Sequence, residues 1–279
     1  MQEDNSLISI IIPCYNDAQY IEQSVLSALN QTYPYKEVIV VDDGSNEETK
    51  AVLKKLETKI TKLITQENKG QSTARNIGIQ EAKGDYILAL DSDDYFEPTF
   101  CEKAIDIFLG NDDVKIVTCY TNRLYENKES DIFKPNGGKI NCFLLNNCAM
   151  GSSMFRKTDW QEANGYDECM RQGFEDWEFH IRLLKVRGNA FVIAEPLFNY
   201  RLRKNSTTSK ANKIKYDLLK YIYSKHQELY LSNFDLFVNH LLSRIEREEH
   251  EKIKNTLRLE FKIGKFILKP LRYVKSIFS

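Results

Sequence analysis

Short β-branched apolar runs alternate with segments of helical spacing over the first 120 residues, and each run stops abruptly in polar, turn-forming residues. Runs of this length fit strands buried on both faces, and strands alternating with helices build βαβ units around a parallel sheet. The strands are expected at 7–12, 37–41, 62–65, 86–90 and 115–120. Between the first two, Ile21, Val25, Ala28 and Leu29 share one helix face. Between the last two, Phe100, Ala104, Ile105 and Phe108 repeat that spacing, with Pro98 near the helix start. The expected fold is α/β, a mostly parallel central sheet flanked by helices.

Ligands of open α/β sheets bind outside the carboxyl ends of the strands. Here those ends read Pro13-Cys14-Tyr15-Asn16-Asp17, Asp42-Asp43-Gly44-Ser45, Glu67-Asn68-Lys69-Gly70 and Asp91-Ser92-Asp93-Asp94. Three carboxylates within four residues repel one another and raise each other's pKa unless a cation sits among them. Hard cations such as Mg2+ and Mn2+ take such oxygens and hold substrate phosphates as well. A solvated acidic turn has the same composition, and Asp-Gly-Ser is ordinary turn chemistry.

The 279 residues suffice for a sizeable core, and a net charge of -1 argues against a general nucleic-acid binder. Charge is uneven along the chain. From residue 252 onward Lys252, Lys254, Arg258, Lys262, Lys265, Lys269, Arg272 and Lys275 face only Glu260. The six cysteines form no C-x-x-C pair and are not spaced with the four histidines as zinc ligands, which reads as reduced thiols. No basic n-region precedes the short apolar run at 7–12, so a cytoplasmic location is expected. Residues 122–151, with Pro135, Gly137-Gly138 and many Asn, read as a loop able to move over the site. Further strands are expected at 152–156 and 190–193, a helix at 175–186, and helices beyond 206, one around Ile214, Leu218, Tyr221 and Ile222, a second around Phe234, Phe237, Leu241 and Ile245, and a basic third from Lys252.

Five elements taken in order carry a resemblance: Ile-Pro-Cys-Tyr-Asn (12–16), Val-Asp-Asp-Gly-Ser (41–45), Asn-Lys-Gly-Gln-Ser-Thr-Ala-Arg-Asn-Ile-Gly (68–78), Leu-Asp-Ser-Asp-Asp (90–94) and Gly-Phe-Glu-Asp-Trp-Glu (173–178). Over residues 6–206 the chain resembles the inverting nucleotide-sugar glycosyltransferases of family 2, which have the GT-A fold. The resemblance implies a catalytic domain at 1–206, with nucleotide-sugar binding in 6–120 and the acceptor and catalytic part in 121–206. Residues 207–279 form a helical C-terminal appendage.

The resemblance implies that Asp43, or less directly Asp42, accepts a hydrogen bond from the nucleotide base beside Pro13 and Tyr15. It sets Arg75 near base or diphosphate oxygens. Asp93 ligates Mg2+ or Mn2+ directly, while Asp91 contacts ribose or the metal shell; Asp94 lies behind the metal or toward the acceptor. Asp176 is the implied base that removes the acceptor hydroxyl's proton on the face opposite the departing diphosphate. Glu175 neighbours it, and Trp177 lies beside the acceptor sugar. Acids in a helix's first turn are also favoured by the macrodipole alone, which leaves a structural reading of this pair open. Arg201 and Arg203 match a flap segment that supplies cations to the diphosphate, Arg203 standing where family members often carry His. A solvated basic strand is the competing reading. His180 reads as a packing or surface residue.

The implied activity is inverting, metal-dependent transfer of a sugar, UDP-linked, to a glycan or lipid-linked acceptor in bacterial surface polysaccharide synthesis. The basic, apolar tail suits an anionic membrane surface at the inner face of the cell membrane. Its stripe equally suits packing on the catalytic domain or on a second subunit, so a homo-oligomer stays open. A nucleotidyltransferase would also gather carboxylates at strand ends but needs a glycine-rich, basic loop where Pro13-Cys14-Tyr15-Asn16 stands. A non-catalytic sugar-nucleotide binder leaves Glu175-Asp176 without purpose.

Overall fold

The computed structural model describes residues 5–127, 129–204, 206–261 and 263–268. In chain order the elements are β1 (Ile8–Cys14), α1 (Ile21–Leu29), β2 (Lys36–Asp43), α2 (Glu47–Leu56), β3 (Lys62–Gln66), α3 (Gln71–Glu81), β4 (Tyr86–Ala89), β5 (Tyr95–Phe96), α4 (Phe100–Gly110), β6 (Val114–Tyr125), β7 (Ser130–Phe133) and α5 (Ile140–Leu145). They continue with β8 (Met154–Arg156), α6 (Lys157–Glu162), α7 (Glu175–Leu184), β9 (Asn189–Leu202), α8 (Thr207–Ala211), α9 (Lys215–Lys225), α10 (Gln227–Ser232) and α11 (Phe234–Leu257).

The sheet order is β3-β2-β1-β4-β8-β6-β9-β5, with β7 pairing β6. β1 runs parallel to both β2 and β4, and β2 parallel to β3. Beyond β4 the sheet is mixed: β8 is antiparallel to β4 and β6, β6 is parallel to β9, and β5 is antiparallel to β9. β1, β2 and β4 are buried on both faces, which is why they are nearly unbroken apolar runs rather than alternating ones, while β3 at the sheet edge is only partly buried. Their side chains still divide with period two. Ile8, Ile10, Ile12, Val38, Val40 and Leu88 face a core closed by α1 and α4, while Ile11, Ile39, Val41, Ile87 and Ala89 face one closed by α3, α5 and α7.

Local chemistry sets the helices over this sheet. Asn46 caps α2 by accepting from the Thr49 N–H at 3.0 Å, and Glu47 and Glu48 in its first turn with Lys54 and Lys55 in its last complement the helix dipole. α3 passes so close to β1 that a Cβ on Gly78 would lie 2.5 Å from Cγ2 of Ile11. Glycine there lets the helix lie against the strand.

Residues 122–151 are more regular than their composition suggests. β6 extends to Tyr125 and turns back into β7, across which Arg123 pairs with Asp131, and α5 follows. All four residues of β7 are exposed, so no apolar alternation marked it in the sequence.

The chain divides into two compact units, Met1–Leu229 and Tyr230–Ser279. The boundary expected at residue 206 falls inside the first unit, because Ala211 and Ile222 are buried and Leu219, Tyr223 and Leu229 pack against the core. Charge fastens the same segment. Buried Glu178 on α7 accepts from Arg182 at 2.6 Å, His226 at 2.9 Å and Lys225 at 3.0 Å. Although burial opposes it, these donors pull the Glu178 carboxyl down to about 2. In the second unit α11 has no buried residue and runs through Lys252 to Leu257. The basic helix expected from Lys252 thus begins inside the end of α11, which breaks at Arg258 where the backbone is extended, and residues 259–261 and 263–268 are helical again beyond that break. Residues 269–279 of the basic tail, with Lys262, lie outside the described residues. No helix among the described residues is long and apolar enough to cross a membrane.

Candidate functional site

The carboxyl ends of β1, β2, β3 and β4 meet along one edge and are hydrogen-bonded to one another. Asn16, in a left-handed conformation that asparagine tolerates, accepts the Asn46 N–H at 2.7 Å, while its own N–H reaches Ser45 Oγ at 3.1 Å. Ser92 donates to Asp17 at 2.6 Å. Asp43 accepts from Gln66 at 2.7 Å and from the Lys69 and Gly70 N–H groups at 2.8 and 2.9 Å, tying the β3–α3 loop to β2. Three of a carboxylate's roughly four acceptor positions are thereby used. Asp42 points to the other face and accepts from the Ser45 N–H at 2.9 Å. Pro13 is buried in β1, and Tyr15 beyond it is half exposed.

The acidic cluster after β4 splits three ways. Asp91 accepts from Gln71 at 2.7 Å and from Arg75 at 2.6 Å. Asp93 pairs with Arg203, which also holds Asp17 at 2.8 Å. Burial and then Asp91 push the Asp93 carboxyl up to about 6, against the pull of Arg203. Asp94 is fully buried; it accepts the Arg201 N–H at 2.8 Å on Oδ1, and its Oδ2 has no partner. Burial, then Asp93 and Asp91, raise it well above the carboxylate range.

Arg75 joins this edge to the N-terminal end of α7. Its side chain is 1% exposed, and its two terminal nitrogens bond Asp91 at 2.6 Å and Glu175 at 2.8 Å. The Tyr166 ring covers it at 5.2 Å, held there by Asn76, which accepts the Tyr166 N–H at 2.7 Å and donates to the Tyr166 carbonyl at 2.9 Å. Although burial opposes it, Asp91 and Glu175 raise the guanidinium above its ordinary value, so it is a permanent cation. Glu175 and Asp176 are both raised, by burial first, with Arg75 acting against it. Half-buried Asp176 accepts from Asn147 at 2.8 Å.

The expected site residues thus converge, with several turned differently from the sequence-based expectation. Arg75, expected near base or diphosphate oxygens, has both terminal nitrogens on carboxylates of the chain itself. Trp177, expected beside the acceptor sugar, is buried and donates to the Phe143 carbonyl at 2.6 Å, packing α5 on α7. Arg201 donates to the Asp93 carbonyl and to Gln23, and lies over the rings of Tyr20 and Tyr95 at 5.0 Å. His180 is buried, as a packing residue would be. Asp17, Gln71, Asn147 and Tyr166 were not singled out. Gln71 lies within the 68–78 motif and Asp17 directly follows the 12–16 motif, so both were findable; Asn147 and Tyr166 carry no local signal.

Among the described residues no group of three or more His, Cys, Asp or Glu could hold a metal alone. The donors nonetheless fit a divalent ion, which is commonly held by one or two carboxylates and completed by substrate phosphates and water. Asp91 and Asp93 supply hard oxygens, and after burial the neighbouring Asp91 and Asp17 charges also raise the Asp93 carboxyl, a repulsion that a cation there would relieve. A cleft of about 670 Å³ lined by Asn76, Trp160, Tyr166, Asp167 and Lys225 contains none of Asp91, Asp93 or Asp176, and Lys225 is committed to Asp167.

The model of the family described as glycosyl transferase family 2 matches residues 9–159. A Haemophilus influenzae protein named an uncharacterized glycosyltransferase is 41% identical over 38% of this chain and 43% of its own. Escherichia coli chondroitin synthase is 32% identical over 64% of this chain and 27% of its own. A Bacillus subtilis protein assigned by name to teichuronic acid biosynthesis, the glycosyltransferase TuaG, is 30% identical over 73% of this chain and 82% of its own. Among solved structures, S. aureus TarS 1-349 in complex with UDP-GlcNAc has a TM-score of 0.63 at 20% identity, over 74% of this chain and 61% of that one. The chain therefore spans less than half the length of the first two relatives, and the likeness to TarS is one of fold.

Proposed function

The chain belongs to glycosyl transferase family 2, and from that premise we propose that it transfers a sugar, with inversion, from a nucleotide-diphosphate donor to a glycan or lipid-linked acceptor. The donor is read as UDP-linked, since TarS of the same fold is described with UDP-GlcNAc, and the setting as bacterial surface polysaccharide synthesis, since TuaG is assigned there. The nucleotide lies at the ends of β1 and β2, near Pro13, Tyr15, Asp42 and Asp43. The diphosphate lies over Asp91 and Asp93, which would hold Mg2+ or Mn2+. When bound, that ion supplies Lewis-acid stabilisation of the charge on the leaving diphosphate. Asp176 takes the proton of the acceptor hydroxyl.

The observation that supports this reading is the Arg75 bridge, which brings Asp91 and Glu175 to one guanidinium and so sets Asp176 beside the donor carboxylates. Inversion needs a base facing the anomeric carbon from the side opposite the diphosphate. The upward shift of Asp176 brings a carboxyl nearer to useful basicity, against the helix dipole at this first turn.

The test is UDP release from UDP-GlcNAc with Mn2+, run beside a panel of other nucleotide sugars. Asp93→Ala is expected to lose Mn2+-dependent donor binding. Asp176→Asn is expected to keep donor binding and lose about 10²- to 10⁴-fold in turnover. Undiminished transfer in Asp176→Asn excludes it as the base, and binding without turnover of any sugar by the unaltered chain favours a non-catalytic binder.

We also infer that the tail meets an anionic membrane at the inner face of the cell membrane. Exposed Ile253, Leu257, Leu259, Phe261, Phe266 and Ile267 lie among Lys252, Lys254, Arg258 and Lys265. Removing residues 252–279 is expected to reduce sedimentation with anionic liposomes at low salt; no change favours packing on protein.

A further inference from the structure

We propose that Asn147 and His180 are positioning residues for the base, holding the Asp176 carboxylate through a chain of two hydrogen bonds anchored on a buried ring. This rests on the reading of Asp176 given above. Asn147 Nδ2 lies 2.8 Å from Asp176 Oδ2, and Asn147 Oδ1 lies 3.3 Å from His180 Nδ1. The order of donors along this chain is forced. A carboxylate only accepts, so the amide must turn its NH2 to Asp176 and its oxygen to His180, whose Nδ1 must then carry the proton.

His180 is suited to be the fixed end. It follows Asp176 by one helical turn, is 1% exposed, and meets the Phe143 ring edge-on at 5.8 Å. Burial, and after it the charge of Arg75, holds its pKa down to about 3, so the ring stays neutral and singly protonated at working pH. Asn147 is fixed by its neighbours. Asn146 donates to the Cys142 carbonyl at 3.0 Å, the Cys148 carbonyl accepts from Gly137 at 2.8 Å, and Trp177 ties α5 to α7 through Phe143.

Gly151 also crowds this oxygen, since a Cβ there would come within 3.1 Å of Asp176 Oδ2. Oδ2 therefore contacts both the Asn147 amide and Gly151. Among the described residues no side chain bonds Oδ1, which is the oxygen presented to an acceptor hydroxyl. The charged or titratable groups around Asp176 are Arg75 from α3, Asp91 after β4, Tyr166, and Glu175 and His180 on its own helix. Asn147 is the neutral side chain that donates to it. An amide donor stabilises the ionised carboxylate and fixes its plane; misplacing a reacting group by about 1 Å costs on the order of 100-fold in rate.

Four variants of the full chain test this: Asn147→Ala, Asn147→Ser, His180→Leu and His180→Gln. Gln can still donate to the Asn147 oxygen, whereas Leu fills the buried site without donating. In UDP release from UDP-GlcNAc with Mn2+, Asn147→Ala and His180→Leu are expected to lower kcat about ten- to a hundred-fold with donor KM unchanged. The acid limb of kcat against pH should move upward, and His180→Gln should recover most of the loss seen in His180→Leu. A packing role predicts the reverse order, with Leu tolerated and Gln not. The donor-free chain gives a second readout whichever sugar is used: the carboxyl 13C signal of Asp176, assigned by its loss in Asp176→Asn, should titrate higher in Asn147→Ala. The His180 imidazole should show a neutral Nδ1–H tautomer from about pH 5 to 8. Asn147→Ser, which is smaller and keeps a donor, guards against misfolding of the Ala variant. An unmoved Asp176 titration in well-folded Asn147→Ala, or a His180 ring that protonates near its ordinary value, overturns the proposal. Inactive Asp176→Asn beside fully active Asn147→Ala removes the positioning chain alone, while active Asp176→Asn removes the base assignment on which it rests.

Discussion

Replacing Arg75 by Met should destabilise the first unit severely, and the structure says where the cost falls. The guanidinium is 1% exposed and bridges Asp91, 25% exposed, and Glu175, 9% exposed. Met keeps most of the side-chain volume and removes the charge. Asp91 can then turn to water, but Glu175 is left buried among Asp91, Asp176 and the Tyr166 ring. Breaking one partner of a buried ion pair costs about 3 to 5 kcal/mol, so a loss in that range is expected, carried mainly by Glu175. At roughly 2 to 4 °C per kcal/mol for a unit of this size, Tm should fall by about 6 to 20 °C. Urea unfolding followed by tryptophan fluorescence is the assay, because Trp160 and Trp177 are the chain's two tryptophans and both lie in the first unit.

Without Arg75 the Glu175 carboxyl, already raised by burial, rises further in the folded state. A raised carboxyl is penalised only where the unfolded chain is ionised, above about pH 4.3, and not where both states are protonated. The deficit relative to the unaltered chain should therefore be largest near neutrality and shrink as pH falls toward that value. Adding Glu175→Gln to Arg75→Met should restore about 1 to 3 kcal/mol, by removing the stranded charge. A deficit under about 1 kcal/mol, one equal at pH 5 and pH 8, or no recovery in the double variant refutes the bridge as an energetic unit.

Glu178→Gln should cost on the order of 3 kcal/mol at neutral pH, following from the fall of its carboxyl to about 2. Because that folded-state value lies below the unfolded one, the contribution is complete above about pH 4.3 and is lost as pH falls toward 2, so chain and variant should converge in acid. Urea titrations at pH 7 and pH 3 that give the same difference would contradict this. For Asp93, raised to about 6, Mn2+ affinity in the presence of UDP should weaken as pH drops through that value, since a protonated carboxyl does not ligate. Arg203→Gln should move that limb to higher pH, by removing the cation that opposes the shift, and an affinity flat from pH 5 to 8 in electron paramagnetic resonance titrations would remove Asp93 as a ligand.

The parallel half of the sheet was legible because its physics is local to each segment. A strand buried on both faces is apolar at nearly every position, so 7–12, 37–41 and 86–90 announce themselves within a residue or two of β1, β2 and β4, and the partly buried edge strand β3 shows only through its short run Leu63-Ile64. β7 gives no such signal because nothing covers it. The ends of β6 and β9 were missed for a different reason: β9 runs 14 residues through Pro196, and its pairing with β6 shifts register there, so its extent depends on the partner strand rather than on its own composition. The helices beyond residue 206 were found from their apolar spacing, but spacing cannot say which of them fold onto the first core. That was decided by Ile222, and by Lys225 and His226 meeting Glu178 some 48 positions earlier.

The carboxylates of the site were legible for the same local reason, since each follows a strand whose end the sequence marks. Their partners were not, because the direction a long side chain takes is set by residues far along the chain. Arg75 and Glu175 are 100 positions apart, and Arg203 and Asp17 186. All three arginines expected to face a diphosphate turn instead to the chain's own oxygens: Arg75 to Asp91 and Glu175, Arg203 to Asp17 and Asp93, Arg201 to the Asp93 carbonyl. Of six carboxyl groups at this edge, four, Asp17, Asp91, Asp93 and Glu175, pair with the two guanidinium groups of Arg75 and Arg203, while Asp94 accepts the Arg201 N–H and Asp176 the Asn147 amide. Burial and then the neighbouring carboxylates raise Asp93, to about 6, and Asp94 as well, so the ionised forms of both are disfavoured here. A diphosphate brought to this edge adds negative charge to a site already short of cations. Arginines committed to the fold cannot supply the balance without breaking the bridges that shape it, and that is the physical ground for proposing a divalent ion at Asp91 and Asp93 rather than an arginine clamp.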